Sequence, residues 1–164
     1  SVEYYKKNRI DFHIQAIDGG FLIQEDDNEI LTTNNLNVVT NKAPDEGQLK
    51  DLIFAWKVAK YVKSNAIIFA RDLQTIGIGA GQMSRVNSAK IASLKAAASN
   101  LDTKDAVMAS DGFFPFSDSI QMASENQIKC VIQPGGSIKD QEVINEANKE
   151  NISMIFTGIR HFRH

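Results

Sequence analysis

The sequence contains a single cysteine, Cys130, among 164 residues. One thiol makes no internal disulfide and no cysteine zinc cluster, so a reducing, cytoplasmic compartment is expected. Zinc-dependent deamination is excluded on the same ground. That chemistry needs a His or Cys plus two cysteines around the metal, with a glutamate nearby. Basic residues do not outnumber acidic ones: 18 against 20 leaves a net charge of −2. No global positive field therefore recruits nucleic acid or an anionic membrane. No apolar run approaches the roughly 20 residues of a membrane span, and no signal peptide opens the chain. There is no Gly-x-Ser-x-Gly elbow, so Ser-His-Asp catalysis has no support.

What is present is a globular balance of 43% hydrophobic and 23% charged residues, enough for one domain with a real core. The chain opens on SVEYYKKNRIDFHIQ, already amphipathic and without an initiator methionine, which suggests a piece of something longer. An extended stretch near Ile10–Ile14 precedes GGFLIQE, a strand starting on glycines. The polar run EDDNEILTTNNLNVVTNKAPDEG reads as a surface connection. After Pro44 and Asp45, Leu49, Leu52, Ile53, Trp56 and Ala59 recur on one helical face. NAIIFAR and QTIGIG form a hairpin about Asp72 and Leu73, and the alanine-rich Arg85–Asn100 stretch makes a second helix. From there AVMAS, IKCVIQ and SMIFTG alternate as strands with the helices SDSIQMASENQ and KDQEVINEANKEN. No internal domain boundary is evident. The alternation predicts an α/β fold, a mostly parallel sheet with helices on both faces. In such a sheet ligands bind beyond the carboxyl ends of the strands. The segments GIGAGQ, FFPF, PGGS and the tail IRHFRH all follow strand ends, so they should meet on one edge.

Each of these segments has an ordinary and a functional reading. SDGFFPFSDS puts three of nine phenylalanines around one of only three prolines. The rings either plug the core beneath a loop or form a wall for a flat ligand. Gly77, Gly79 and Gly81 either make a plain turn or let backbone approach an anion, although G-x-G-x-G is not the dinucleotide spacing. Arg85 opens a helix, where the dipole disfavours a cation, so it either faces solvent or binds a phosphate or carboxylate. Asn65 either caps a strand mouth or donates to a developing oxyanion. PGGSIKD is a helix cap or an anion cradle, with Ser137 and Asp140 resembling a capping box. The tail RHFRH holds two of three histidines and two of five arginines. It is either a solvated end or docked at the same edge through Phe162.

Taken together, SNAIIFARDLQTIGIGAGQMSRV, SDGFFPFSDS, IQPGGSIKDQEVI and FTGIRHFRH resemble the bifunctional purine-biosynthesis family of aminoimidazole carboxamide ribonucleotide (AICAR) transformylase/IMP cyclohydrolase. The likeness is strongest from Ser64 to His164, looser through GGFLIQE and the Pro44–Val62 helix. It implies that residues 1–164 are the C-terminal half of the transformylase domain, with the cyclohydrolase domain and the first transformylase half absent. It also implies a three-layer α-β-α, cytidine-deaminase-like fold without the zinc. The implied reaction transfers a formyl group from the cosubstrate formyl-tetrahydrofolate to the AICAR amine. No metal or tightly bound cofactor is implied; the partners are these small molecules and a second subunit in a homodimer. Residue by residue, Asn65 matches an active-site asparagine, and Arg160 a nucleotide-phosphate ligand, with Phe113 and Phe162 beside the AICAR base. Ser84, Arg85, Pro115, Phe116, Asp118 and Ser137 match positions around the folate. The family's catalytic Lys-His pair has no counterpart, since no Lys-His dipeptide occurs in the sequence. Two other readings are a ligand-binding piece without activity of its own and a nucleotide-binding oxidoreductase module built on GIGAGQ.

Overall fold

The computed structural model describes residues 12–29, 31 and 36–163. The amphipathic opening before Phe12, part of the asparagine-rich connection and His164 lie outside the described residues. Strands β1 (Phe12–Ile17) and β2 (Gly20–Glu25) pair antiparallel about a turn in which Gly19 has φ +79°. They belong to a separate compact unit, residues 1–30, which corrects the expectation of a chain with no internal boundary. The register explains why the sequence reads as ordinary strand. Ile14 faces Ile23 and Ala16 faces Phe21, so one side of the ribbon is apolar, yet every residue in it is exposed.

The second unit, residues 31–164, is built on a six-stranded sheet. Its elements are β3 (Asn37–Val38), α1 (Glu46–Ala59), β4 (Ile67–Arg71), β5 (Gln74–Gly79), α2 (Arg85–Ala98), β6 (Val107–Ser110), α3 (Asp118–Glu125), β7 (Cys130–Gln133), α4 (Asp140–Lys149) and β8 (Ser153–Phe156). Their order across the sheet is β3-β8-β7-β6-β4-β5. The α/β class and the mixed sheet are as expected, but the parallel share is smaller than the alternation implied. Only β6–β7 and β7–β8 are parallel; β3–β8, β6–β4 and β4–β5 are antiparallel. The two-residue link Asp72-Leu73 is too short for a crossover and forces reversal.

Strand alternation distributes the core between the two faces. Ile68, Ala109, Ile132 and Ile155 lie in one register row and pack with Leu52, Ala55, Trp56 and Ala59 of α1. Phe69, Met108, Val131 and Met154 form the opposite row, against Ala92 of α2, Ile120 and Ala123 of α3 and Val143 of α4. One helix on one face and three on the other make three layers. Helix α1 starts as Pro44-Asp45 suggests. The Asp45 carboxylate accepts the Gln48 N–H at 2.8 Å, and the Gln48 side chain accepts the Asp45 N–H at 3.0 Å. This reciprocal cap satisfies two otherwise unpaired donors. Further along α1, the Asp51 carboxylate accepts the N–H groups of Asp72 and Leu73 at 2.9 and 2.7 Å. Both turn residues have positive φ, and that carboxylate ties down the hairpin that reverses the sheet. No helix among the described residues is long and apolar enough to cross a membrane.

The one thiol lies in the middle of this sheet. Burial raises the Cys130 pKa to about 11, despite a bond from the Ser153 hydroxyl that works the other way. Between pH 9 and 11 the unfolded chain therefore loses this proton while the folded chain keeps it. Folding stability should fall across that window, by at most about 1.4 kcal/mol per pH unit from this group. Urea titrations at several pH values, compared with Cys130→Ala, isolate the effect. An identical slope in the variant would refute it.

Candidate functional site

Strand directions bring the expected loops to one edge. Strand β5 reverses against β4, and β4 against β6, so β5 runs in the sense of β6, β7 and β8. The segments after those four strands thus share an edge with Ser64 and Asn65, which precede β4. Backbone bonds stitch them together. Asp111 N–H donates to Ala66 C=O at 3.3 Å, His161 N–H to Asp111 C=O at 3.0 Å, and Ser64 N–H to Arg163 C=O at 2.9 Å.

A groove of about 450 Å³ opens on this edge. Four of the residues singled out from the sequence line it: Asn65, Arg85, Phe113 and Phe162, joined by Ser64, Gln82 and Met83. The Arg160 guanidinium lies 4.8 Å from the centroid of the Phe113 ring, within cation–π range, so it stands beside the groove. The remaining candidates occupy neighbouring loops, or in the case of Asp118 the first position of α3, and are not among the lining residues. Ser84 caps α2 by accepting the Asn87 N–H, and Ser137 accepts the Lys139 N–H. Pro115 and Asp118 are exposed, and Phe116 carries the Lys139 ammonium 4.5 Å above its ring.

The phenylalanine cluster divides its work between both readings. Phe114 is fully buried in the core, Phe113 half-buried in the groove wall, and Phe116 exposed. The glycines resolve differently from either reading. Gly77 and Gly79 lie within β5, where a β-carbon would overlap backbone carbonyls of Ala92 and Ser88 in α2. They let helix meet sheet closely. Of these three, only Gly81 shows the positive φ of a turn glycine, +66°.

Asn65 does cap backbone, its amide donating to Gln82 C=O at 2.8 Å, which uses one of two amide protons and leaves one for a ligand. The Ser64–Asn65 peptide is cis. Arg85 does not face solvent. Its Nη2 lies 3.2 Å from Oδ1 of Asp111, whose side chain is wholly buried. The tail is docked at this edge, with His161 as its buried residue. His161 is 3% exposed with its ring 4.8 Å from the Trp56 indole, while Phe162 is 37% exposed at the groove. In PGGSIKD the Asp140 carboxylate accepts from Gly136 and Ser137 N–H groups, half of the expected capping box.

Sequence reasoning missed Gln133. Its buried side-chain oxygen accepts from Phe114 N–H at 3.3 Å and Gly135 N–H at 3.1 Å, joining the FFPF loop to the PGGS loop. A polar residue closing an apolar strand just before a glycine pair was the available signal.

A family model described as AICARFT/IMPCHase bienzyme matches residues 2–95, more than half of the chain. Among solved structures, a diaminohydroxyphosphoribosylaminopyrimidine deaminase/5-amino-6-(5-phosphoribosylamino)uracil reductase from Thermotoga maritima is similar at 18% identity, with a TM-score of 0.42. The match covers 67% of this chain and 35% of that one, so the chain spans about a third of that protein's length.

Proposed function

Because the chain belongs to the AICARFT/IMPCHase bienzyme family, we propose that its groove serves formyl transfer from formyl-tetrahydrofolate to the amine of AICAR, a step of purine biosynthesis. The observation that carries this reading is the convergence of Asn65, Arg85 and two aromatic rings on one groove, with the Arg160 cation beside it. Flat heterocycles stack on phenylalanine faces, and a fixed guanidinium suits a phosphate. The amine is a weak nucleophile, its lone pair delocalised into the ring and carboxamide. Attack on the formyl carbon creates an oxyanion, and the amine must lose a proton as the folate nitrogen leaves. The second Asn65 amide proton would stabilise that oxyanion. Proton removal needs a base at the amine. The sequence has no Lys-His dipeptide to match the family's pair, which favours a second reading in which this chain alone binds ligands without turnover.

The test uses the transformylase that contains this chain. Asn65→Ala should lower kcat more than it raises KM for AICAR, by roughly 2–4 kcal/mol in activation free energy. Arg160→Ala should weaken AICAR by roughly 1.5–3 kcal/mol while leaving folate nearly unchanged. A wild-type kcat with a lowered melting temperature in Asn65→Ala would reduce Asn65 to a strand cap. Equal loss of both ligands in Arg160→Ala would refute the phosphate role.

A further inference from the structure

Arg85 is the first residue of α2, where the helix dipole opposes a cation, and its side chain is only 14% exposed. What holds it there is a buried pair that is incomplete. Arg85 Nη2 meets Asp111 Oδ1 at 3.2 Å, but Arg85 Nε and Asp111 Oδ2 are buried without a partner among the described residues. A half-made buried pair is a poor source of stability, since desolvation of both charges offsets most of the attraction. Its acidic half, however, is firmly rooted. The Asp111 backbone is pinned on both sides, N–H to Ala66 and C=O to His161, so its carboxylate has a fixed root. The next residue completes the seat. A β-carbon on Gly112 would overlap Arg85 Nη2 and lie 2.7 Å from its central carbon. Gly112 itself is held by the Ser110 hydroxyl, which donates to its carbonyl at 2.7 Å.

We propose that Asp111 and Gly112 are positioning residues that fix the Arg85 guanidinium in the groove wall, the carboxylate anchoring one edge and the bare glycine backbone receiving its face. The functional part rests on the formyl-transfer reading, in which Arg85 addresses a bound ligand; the positioning itself does not. Because the atom in the way of a Gly112 β-carbon is the end of a flexible side chain, Gly112→Ala displaces Arg85 without unfolding the protein.

Two measurements test this. In the 15N-labelled chain, Arg85 Nε–H should give a signal protected from solvent exchange and assigned by its loss in Arg85→Lys. Asp111→Asn and Gly112→Ala should each return that signal to the exposed arginine envelope; an unchanged signal in both overturns the proposal. In the transformylase that contains this chain, Arg85→Ala, Asp111→Asn and Gly112→Ala should each lower kcat/KM by about 10–100-fold, the loss typical of a misplaced group. On the Arg85→Ala background, Gly112→Ala and Asp111→Asn should add less than about twofold, because a residue acting through Arg85 has nothing left to act on. Effects that multiply instead mean the two residues act on their own, and the proposal fails. Wild-type turnover in all three variants beside a slowed Asn65→Ala enzyme overturns the positioning role and spares the site. Wild-type turnover in Asn65→Ala as well overturns both.

Discussion

Gly79→Ala is expected to cost the second unit stability at or beyond the upper end of the about 1–3 kcal/mol typical of overpacking. The added methyl has nowhere to go. It would overlap the carbonyl of Ser88 and sit 2.7 Å from the Ser88 Cα, and these are helix backbone atoms that no rotamer change removes. Gly77 meets Ala92 in the same way one turn further along α2. The helix answers with small residues, Ser88, Ala89, Ala92 and Ala96, on its buried side. Moving α2 outward would separate all of these from the sheet and shift Arg85 at its first turn. Denaturant midpoints check the prediction, with Gly20→Ala as control, since nothing lies within 4 Å of a β-carbon there. A wild-type midpoint for Gly79→Ala would mean that α2 and β5 are not in this contact.

Trp56→Ala should be larger still, about 3–5 kcal/mol, as for other deletions of a fully buried large aromatic. Trp56 is 1% exposed, inside the cluster that joins α1 to the sheet. Its loss also removes the surface against which His161 rests. The residues on either side of His161 are Arg160, beside the groove, and Phe162, in its wall. The variant should therefore lose ligand affinity at temperatures where it is still folded. Trp56→Phe should be far milder. The indole N–H has no partner among the described residues, so phenylalanine forfeits volume but no hydrogen bond. Similar losses for Ala and Phe would show that the N–H, not the ring, matters.

The sequence showed most clearly what depends on local pattern. Helix α1 followed from the spacing of Leu49, Leu52, Trp56 and Ala59 after a proline and a capping aspartate. The four loops were placed on one edge because each follows a run of strand residues. What escaped was set by partners distant in the chain. Strand β3 has two residues, too few for any alternation, and exists because Val38 pairs with Ile155 of β8. Gly77 and Gly79 fall both in the strand run QTIGIG and in the glycine motif GIGAGQ; glycine weakens a strand, and only the helix lying on them explains their presence there. Asp111 is remarkable in sequence only for its place beside the phenylalanines. Its charge acquires a meaning through Arg85, 26 residues earlier. His161 looked like part of a basic tail, and its burial depends on an indole from the opposite end of the unit.

The position of Cys130 gives this chain a built-in stopwatch. A thiol reagent such as DTNB reacts with thiolate, and here the sulfur is both sealed under α1 and kept protonated. Labelling then proceeds only in molecules whose sheet has momentarily come apart. Because there is no second cysteine, every event recorded belongs to that one place. The ratio of the labelling rate of the folded chain to that of the unfolded chain counts the fraction of time spent open, each tenfold slowing corresponding to about 1.4 kcal/mol. Any substitution along the edge that carries Asn65, Arg85 and Arg160 can thus be sorted, without an engineered labelling site, into those that loosen the sheet and those that alter only the groove.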